Sequence, residues 1–404
     1  MPLKFIKDIQ VSLIKESILK DISGWIFTNF HHRDNLTDFL LQLDSNIVST
    51  RRWLYIVRKQ DEPVKILHKI ETNALDSLPG KSLFYSSQEE LLEILRSLGE
   101  NKTFAILKDK NIPVISTVDS GFVELLHDVN INTVSAANLI QLTKGILSEH
   151  QIKTQEEAAT VLYNIIFNAW KIVKHHFNND LPLYEKDILD FILEEFEKNN
   201  LITDHPPIVA FGNHSGNPHY EVSDSNNALC KKGDVIQFDI WAKLKNDNNS
   251  IYADISWVGI YDKKVPEKVE KCFECLCKAR DLVIPYVNEN IHNPALLTGS
   301  LLDQKVRNLL MKNGYSTEIK HRTGHSIDTE CHGTGANLDS IEYPDNRSIF
   351  SGCSFSVEPG LYFEDFGLRT EIDVTIVDNK AKIPGKNSLH KEGISIPQCE
   401  ILTC

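Results

Sequence analysis

The sequence contains two separate pairs of segments that look like β-strands. Every one of these four segments carries an acidic residue. The first pair has GDVIQFD, which ends at Asp239, and YADISWVGI, which contains Asp254. The second has GCSFSVE, which ends at Glu358, and LRTEIDVTIV, which contains Glu371. The segments are β-branched and aromatic with polar or glycine-containing connections, which predicts a β-hairpin for each pair. Two hairpins with one carboxylate on each strand could bring four carboxylates to one place.

The alternation of side chains along a strand indicates whether these acids face water or the protein interior. In the last run Arg369, Glu371 and Asp373 share one polar face, which would be solvated in an ordinary amphipathic hairpin. That alternative stays open for any single strand. Asp239, in contrast, lies between VIQF and Ile-Trp, which is the pattern of a buried strand. Buried carboxylates must be paired or bind cations, and two divalent ions would match the charge of four carboxylates.

A histidine-rich segment, HRTGHSIDTECHG, lies between the two predicted hairpins and contains His321, His325 and His332. The four-residue spacing of the first two resembles that of a zincin helix. The intervening Arg-Thr-Gly is poor helix, however, and the catalytic glutamate of a zincin is missing. Any one of these histidines could be an ordinary hydrogen-bonded residue. Three of them in one loop rich in glycine and threonine favour a functional site.

The first part of the chain has the pattern of an α/β domain. Residues 82–86 and 103–107 are predicted strands. Between them, Ser87 and Glu90 form a capping box for an amphipathic helix that stops at Gly99. A β-α-β order of this kind is typical of α/β domains, and the segment has no glycine-rich phosphate loop.

A long helix is predicted to open the second part of the chain. Its start is placed at another capping box, Thr154 with Glu157, and its apolar positions continue to Ile172. We place the domain boundary near residue 150, which predicts domains at residues 1–150 and 151–404.

The charge of the chain limits its partners. The 43 Lys and Arg residues against 56 Asp and Glu residues give a formal net charge of −13, whereas nucleic acids and anionic membranes require a basic surface. The N-terminal MPLKFIKDIQ lacks the apolar core of a secretory signal, and no run of about 18 apolar residues could cross a bilayer. We therefore expect a cytoplasmic protein with neither nucleic-acid nor membrane partners.

A cluster of cysteines is another candidate for a metal site. Cys272, Cys275 and Cys277 lie close together, but no second CxxC pair follows them, and their segment PEKVEKCFECLCKARDLV reads as a helix. Reduced, buried thiols are the favoured interpretation, with metal binding as the alternative.

Five motifs together carry a resemblance to a known family. FDIW, YADI, GHSIDTECHG, VEPGLY and RTEID, in this order, resemble the pita-bread metallopeptidases: prolidase, aminopeptidase P, creatinase and methionine aminopeptidase. The resemblance covers residues 205–378 and, more weakly, the N-terminal half, which looks like the α/β domain of the first three. It implies an α+β fold, with a C-terminal pita-bread domain preceded by a smaller α/β domain.

The resemblance also implies roles for individual residues. The family's five metal ligands fall on Asp239, Asp254, His325, Glu358 and Glu371. Among these, Asp254 and Glu371 match the positions that bind both ions, and Glu358 is also the implied general base.

Four further residues match family positions around the substrate. His321 and His332 are implied to hydrogen-bond the reacting carbonyl, His219 in the motif PHY to line the substrate pocket, and Arg369 to support the ligands. The chain departs from the family where Asp328 replaces a common glycine and Gly333 replaces the acid after His332. Ile-Trp after Asp239 and Ile-Ser-Trp after Asp254 are also unusual, which puts the substrate preference in question.

The implied activity is hydrolysis of Xaa-Pro bonds in proline-containing peptides or dipeptides, by an aminopeptidase or a dipeptidase. In such enzymes a hydroxide between two divalent ions is the nucleophile. One imidazole and four carboxylates favour Mn²⁺, with Co²⁺, Fe²⁺ or Zn²⁺ as alternatives. The resemblance further implies a homodimer. The rival hypothesis is a catalytically inactive binding protein of the same fold, against which the intact ligand set argues.

Overall fold

The structure is a computed structural model that describes residues 2–16, 19–44, 46–386, 398 and 400–404. The chain divides into two units, the first ending at Lys144 and the second running from Gly145 to Cys404. The domain boundary predicted near residue 150 lies a few residues further on and stays a prediction. Within the part of the chain that is described, no helix is both long enough and apolar enough to cross a lipid bilayer.

The first unit is a six-stranded mixed sheet with helices on both faces. Its strands are β1 (Gly24–Asn29), β2 (Trp53–Arg58), β3 (Val64–His68), β4 (Lys81–Tyr85), β5 (Thr103–Ile106) and β6 (Asn132–Ser135). Its helices are α1 (Pro2–Lys15), α2 (Asn35–Leu41), α3 (Gln88–Gly99), α4 (Ser120–Asp128) and α5 (Ala137–Thr143). The strand order is β4-β3-β2-β1-β5-β6. One hydrophobic core lies between the sheet and α1, α2 and α5, and the other lies between the sheet and α3 and α4.

The β-α-β segment predicted from the sequence corresponds to β4, α3 and β5. The oxygen of Ser87 accepts a hydrogen bond from the N–H of Glu90 and begins α3 as predicted. The carboxylate of Glu90 returns to the N–H of Ser86 rather than to that of Ser87. The two strands point the same way but are not neighbours, since β3, β2 and β1 lie between them.

The second unit contains the remaining elements. Its helices are α6 (Glu149–Asn178), α7 (Glu185–Lys198), α8 (Glu267–Asp281), α9 (Val283–Asn290) and α10 (Gly299–Lys312). Its longer strands are β9 (Val235–Leu244), β10 (Ala253–Ile260), β11 (Ser354–Val357) and β14 (Ile372–Val377). Its shorter strands are β7 (Leu201–Ile202), β8 (Ile208–Phe211), β12 (Gly360–Tyr362), β13 (Gly367–Arg369), β15 (Lys380–Lys382) and β16 (Leu402–Thr403).

The two predicted strand pairs form the inner part of this unit, and their polar faces are buried rather than solvated. In β9 and β10, which are antiparallel, Asp239 lies opposite Ser256. In β11 and β14, also antiparallel, Ser356 lies opposite Asp373, and all four side chains are buried. The second pair is not a simple hairpin, because the antiparallel pair β12–β13 is inserted in its connection.

Helices cover the opposite, apolar faces of these strands. α6 and α7 pack on the apolar side chains of β9 and β10, while α8 and α10 pack on those of β11 and β14. Gly259 permits the close approach of α6, because a Cβ there would lie 2.2 Å from Cη2 of Trp170. Each half of the unit therefore has helices outside and polar strand faces inside.

The start of the long helix α6 differs from the prediction. The helix begins at Glu149, and the capping box consists of Ser148 and Gln151, not Thr154 and Glu157. The hydroxyl of Thr154 donates to the carbonyl of Gln151 inside the helix, a contact available to any threonine in a helix interior. The predicted N-cap was therefore wrong by six residues, Thr154 instead of Ser148.

The cysteine cluster lies on α8, as its pattern indicated. Cys272 and Cys275 are buried in the hydrophobic core beneath that helix, and both are free thiols. Cys277 is partly buried, with its Sγ 3.4 Å from the carbonyl oxygen of Gln398.

Candidate active site

The inner ends of the strand pairs bring together all five residues that the sequence predicts as metal ligands. Asp239 lies in the middle of β9, Asp254 near the start of β10, Glu358 just after β11 and Glu371 just before β14. His325 comes from the loop between α10 and β11. Three overlapping groups have their donor atoms within 4.8 Å of one another: Asp239, Asp254 and Glu371; His325, Glu358 and Glu371; and Asp254, His325 and Cys331.

The ring of His325 is oriented to offer a lone pair to this cluster. Its Nδ1 lies 3.2 Å from the carbonyl oxygen of Ser326, and a carbonyl can only accept, so Nδ1 carries the proton. Burial lowers the pKa of His325, so the ring is neutral and Nε2 is unprotonated. That nitrogen lies 3.5 Å from Oδ2 of Asp254 and 3.4 Å from Oε1 of Glu358. Two carboxylate oxygens and a ring nitrogen thus lie close together, which is the donor arrangement of a cation site.

Two further oxygen atoms of the cluster have no partner within the described part of the chain. Oδ1 of Asp254 and Oε1 of Glu371 are buried and accept no hydrogen bond from the described residues, and Asp254 and Glu371 as whole residues are only 5% and 1% exposed. Buried, unpaired carboxylate oxygens are costly unless a cation compensates them. The donor set of four carboxylates and one neutral imidazole therefore fits divalent cations.

The pKa values of the carboxyl groups agree with a site whose negative charge needs cations to balance it. Burial, followed by the charge of Asp239, raises the pKa of Asp254 well above its usual range. Burial and the charge of Asp254 do the same to the pKa of Glu371. Burial also acts to raise the pKa of Glu358, but the neighbouring His325, His321 and Arg369 outweigh it and lower that pKa.

We expect the stabilisation that metal ions provide to increase with pH. In the metal-free folded protein Asp254 and Glu371 have raised pKa values. As pH rises, the carboxyl groups of the unfolded chain therefore lose their protons at a lower pH than those of the folded chain. Stability of the metal-free fold is therefore highest below the ordinary carboxyl pKa of about 4 and falls as pH rises towards the raised values. Bound cations remove this repulsion. The measurement is the difference in Tm between chelator-treated and metal-loaded protein at about pH 5 and about pH 8, and a difference that shrinks with pH would contradict the prediction.

Arg369 and Ser256 hold the carboxylates on the β9 side. The guanidinium of Arg369 contacts Asp239 through Nη2 and donates from Nε to the hydroxyl of Ser256 at 3.1 Å. That hydroxyl lies 2.6 Å from Oδ1 of Asp239 and 2.8 Å from Oε2 of Glu371. Arg369 also donates to the carbonyl of Pro218 at 3.2 Å, which ties the segment before His219 to the site.

His321 takes part in a chain of hydrogen bonds behind the cluster. Its Nδ1 lies 2.7 Å from the carbonyl of Arg322, so Nδ1 carries a proton, and Nε2 lies 2.7 Å from the hydroxyl of Tyr362. Burial lowers the pKa of the ring, so the Tyr362 hydroxyl donates to it. Arg369 in turn donates to Tyr362 at 3.1 Å. Both ring nitrogens are thus engaged, which favours a positioning role, whereas the predicted contact of His321 with a substrate carbonyl stays a prediction.

The two other predicted histidines lie nearer to solvent. The ring of His332 is exposed, and its centroid is 4.3 Å from that of His325. The neighbouring His325 ring and partial burial lower the pKa of His332 to about 4, so this imidazole is neutral at pH 7 and can donate one N–H. His219 is exposed and belongs to none of the three donor groups found among the described residues.

The loop that carries His325 and His332 explains two departures from the family pattern together. The carboxylate of Asp328 accepts hydrogen bonds from the N–H groups of Glu330 and Thr334, both at 2.9 Å. A Cβ at Gly333 would lie 2.9 Å from the carboxylate carbon of Asp328. The acid at position 328 therefore occupies the space beside position 333, where only glycine fits.

Sequence reasoning missed three residues of this site. Ser256 lies on the face of β10 that also carries Asp254, Tyr362 ends the motif VEPGLY, and Cys331 directly precedes His332. The shared strand face was the available signal for Ser256. No sequence pattern distinguishes the other two from ordinary core residues.

Comparison of the sequence with known proteins identifies the family to which it is similar. The sequence profile of metallopeptidase family M24 matches residues 155–378. A probable dipeptidase PepE of Mycobacterium tuberculosis is 25% identical over 185 residues, which cover 46% of this chain and 44% of that protein. Human Xaa-Pro aminopeptidase 3 is 27% identical over 271 residues, which cover 61% of this chain and 49% of that protein. The chain spans about half the length of these curated relatives.

The fold is shared along the whole chain with a solved prolidase. The crystal structure of prolidase from Thermococcus sibiricus has a TM-score of 0.62 and 19% sequence identity, and the match covers 99% of this chain and 98% of that one. This likeness confirms the α+β class and the predicted combination of an α/β domain with a pita-bread domain. Because the family profile covers more than half of the sequence, and the residues predicted as ligands lie within it, this chain belongs to metallopeptidase family M24.

Proposed function

We propose that this protein is a metallopeptidase with two divalent ions that hydrolyses Xaa-Pro bonds and releases the residue before proline. The observation that carries the proposal is the convergence of Asp239, Asp254, His325, Glu358 and Glu371 in overlapping donor groups. Asp254, His325 and Glu371 each belong to two of these groups, and of the three only the two carboxylates have a second oxygen with which to bind a second ion. Mn²⁺ is the proposed native metal, because oxygen donors dominate the set.

The chain's own residues would position the substrate and move a proton. Bound divalent ions would polarise the scissile carbonyl and lower the pKa of a coordinated water. Glu358, whose pKa is lowered by the neighbouring His325, His321 and Arg369, is ionised and can accept a proton from that water and pass it to the leaving amine. The neutral ring of His332, at the solvent side of His325, can donate its N–H to the carbonyl oxygen as negative charge develops there.

The preference for proline is proposed from the relatives of this chain and from the exposed side chain of His219. The relatives of this chain include human Xaa-Pro aminopeptidase 3 and the prolidase from Thermococcus sibiricus. His219 follows Pro218, whose carbonyl Arg369 binds, so its segment is connected to the ligand cluster and could contact the substrate. Proline-containing peptides or dipeptides are proposed as substrates on the same grounds. A cytoplasmic location is proposed from the sequence, and a homodimer from the family resemblance.

Peptide hydrolysis by chelator-treated and Mn²⁺-reloaded protein tests the proposal. We expect release of the first residue from Ala-Pro or Ala-Pro-Ala, with little release from the matched substrates Ala-Ala and Ala-Ala-Ala. Cleavage of the dipeptide alone would indicate a prolidase, and cleavage of the tripeptide an aminopeptidase. If elemental analysis shows bound metal but neither proline substrate is cleaved, the proposed activity is wrong. Binding of less than one ion per chain would instead favour the catalytically inactive binding protein.

A further inference from the structure

The loop that carries His325 also brings a thiol to the candidate metal centre. Cys331 is only 1% exposed, and its Sγ lies 3.0 Å from Oδ2 of Asp254. This sulfur, a carboxylate oxygen of Asp254 and a ring nitrogen of His325 all lie within 4.8 Å of one another. One of the three donor groups thus combines oxygen, nitrogen and sulfur.

The position of this sulfur is fixed by the hydrogen bonds of the loop. The N–H of Gly333 donates to the carbonyl of Ser326 at 2.7 Å and closes the loop around Cys331. The carboxylate of Asp328 holds the N–H groups of Glu330 and Thr334 on either side of the cysteine. The thiol is therefore presented to Asp254 by an ordered backbone.

A second observation indicates that a cation belongs beside this thiol. Oδ1 of Asp254 and Oε1 of Glu371 are buried without a hydrogen-bond partner in the described part of the chain. The thiol cannot satisfy them, because it already lies against Oδ2 of Asp254. A cation that binds Asp254 and His325 would compensate the carboxylates and would also lie within reach of the sulfur.

We propose that Cys331 is a thiolate ligand of the ion on the His325 side of the centre. The inference rests on the proposed two-metal function and adds a sixth donor residue to it. On ligation the S–H bond is replaced by a sulfur–metal bond, and the proton is released to solvent. The group of Asp239, Asp254 and Glu371 has oxygen donors alone. The two positions therefore differ in character, and the sulfur would raise the affinity of the His325 position for Zn²⁺, Fe²⁺ or Co²⁺ relative to Mn²⁺.

X-ray absorption spectroscopy of the zinc-loaded full-length protein tests this assignment. We expect a sulfur neighbour at about 2.3 Å from zinc in the wild-type protein, and its loss in Cys331→Ser and Cys331→Ala. The matched control is Cys353→Ser, since Cys353 is also buried in the second unit but belongs to none of the three donor groups, and this variant should keep the sulfur signal. In competition experiments Cys331→Ser should lower the affinity for Zn²⁺ relative to Mn²⁺ on the order of tenfold.

The possible outcomes separate this inference from the function on which it rests. Wild-type protein that binds zinc without a sulfur neighbour overturns the role of Cys331 and leaves the two-metal peptidase intact. A sulfur signal that persists in Cys331→Ser also overturns it, because the sulfur then belongs to another cysteine. Failure of the wild-type protein to bind any metal would overturn both proposals.

Discussion

Asparagine in place of Asp254 is expected to abolish peptide hydrolysis and to leave at most one ion bound per chain. Asp254 contributes an oxygen to two of the three donor groups, and its Oδ1 has no other partner among the described residues. The asparagine side chain has the same shape but lacks the charge and places an N–H group among acceptor atoms. Since loss of a residue that merely supports a ligand costs about 10–100-fold in metal affinity or activity, loss of this ligand should reduce activity by at least about a hundredfold.

Asp373→Asn is the matched control for this variant. Asp373 is also buried, and its Oδ2 accepts the backbone N–H of Asp254 at 3.0 Å, but it belongs to none of the donor groups. An asparagine oxygen can still accept that hydrogen bond, so this variant should keep its bound metal and lose much less activity than Asp254→Asn. Elemental analysis and the Xaa-Pro assay measure both effects. Full activity with two ions in Asp254→Asn would show that the assignment of the site is wrong.

The strands of the site were predictable because strand geometry leaves little freedom. Side chains alternate strictly along a strand, so an acid in an otherwise apolar run such as that of Asp239 must point to the inside of the fold. The structure has this alternation, with Phe238 and Ile240 in the outer core and Asp239 beside Ser256. Convergence of the acids followed from four such strands meeting in one unit. That these residues bind metal stays a prediction.

The contacts that connect the ligands were not predictable from sequence. Ser256 contacts Asp239, which is 17 residues away in the chain, and Glu371, which is 115 residues away. The strand face that Ser256 shares with Asp254 indicates its direction but not these two contacts. Tyr362 connects Arg369 to His321 through the inserted β12–β13 pair. That insertion was itself missed, because the residues between Glu358 and Leu368 were interpreted as a glycine-containing connection.

The start of α6 shows a different limit of sequence reasoning. The pattern of a capping box occurs twice, at Ser148–Gln151 and at Thr154–Glu157, and either could begin the helix. The structure uses the first, in which both reciprocal hydrogen bonds form. At the second, the threonine hydroxyl bonds to a carbonyl within the helix. Local pattern alone cannot decide between them, since the packing of the whole helix determines how far it extends.

Removing the charge of Arg369 is expected to destabilise the metal-free protein much more than the metal-loaded protein. Arg369 is buried and contacts Asp239 directly, and breaking a buried ion pair leaves an uncompensated charge that costs about 3–5 kcal/mol. In the variant Arg369→Gln, Asp239 would lack a countercharge unless a cation bound to it. Urea unfolding of the chelator-treated variant should therefore show a loss of about 3 kcal/mol, and the loss should be smaller after metal loading.

Arg347→Gln is the matched control for Arg369→Gln. Arg347 is also buried in the second unit and binds the buried Asp345 at 2.7 Å and 3.0 Å, but neither residue belongs to a donor group. Its loss should therefore cost the same with and without metal. If Arg369→Gln behaves in the same way, cations do not compensate Asp239 and the ion on that side of the centre is excluded. If metal restores stability only in Arg369→Gln, Asp239 is in electrostatic contact with a bound cation, and a stability measurement places the ion without reference to activity.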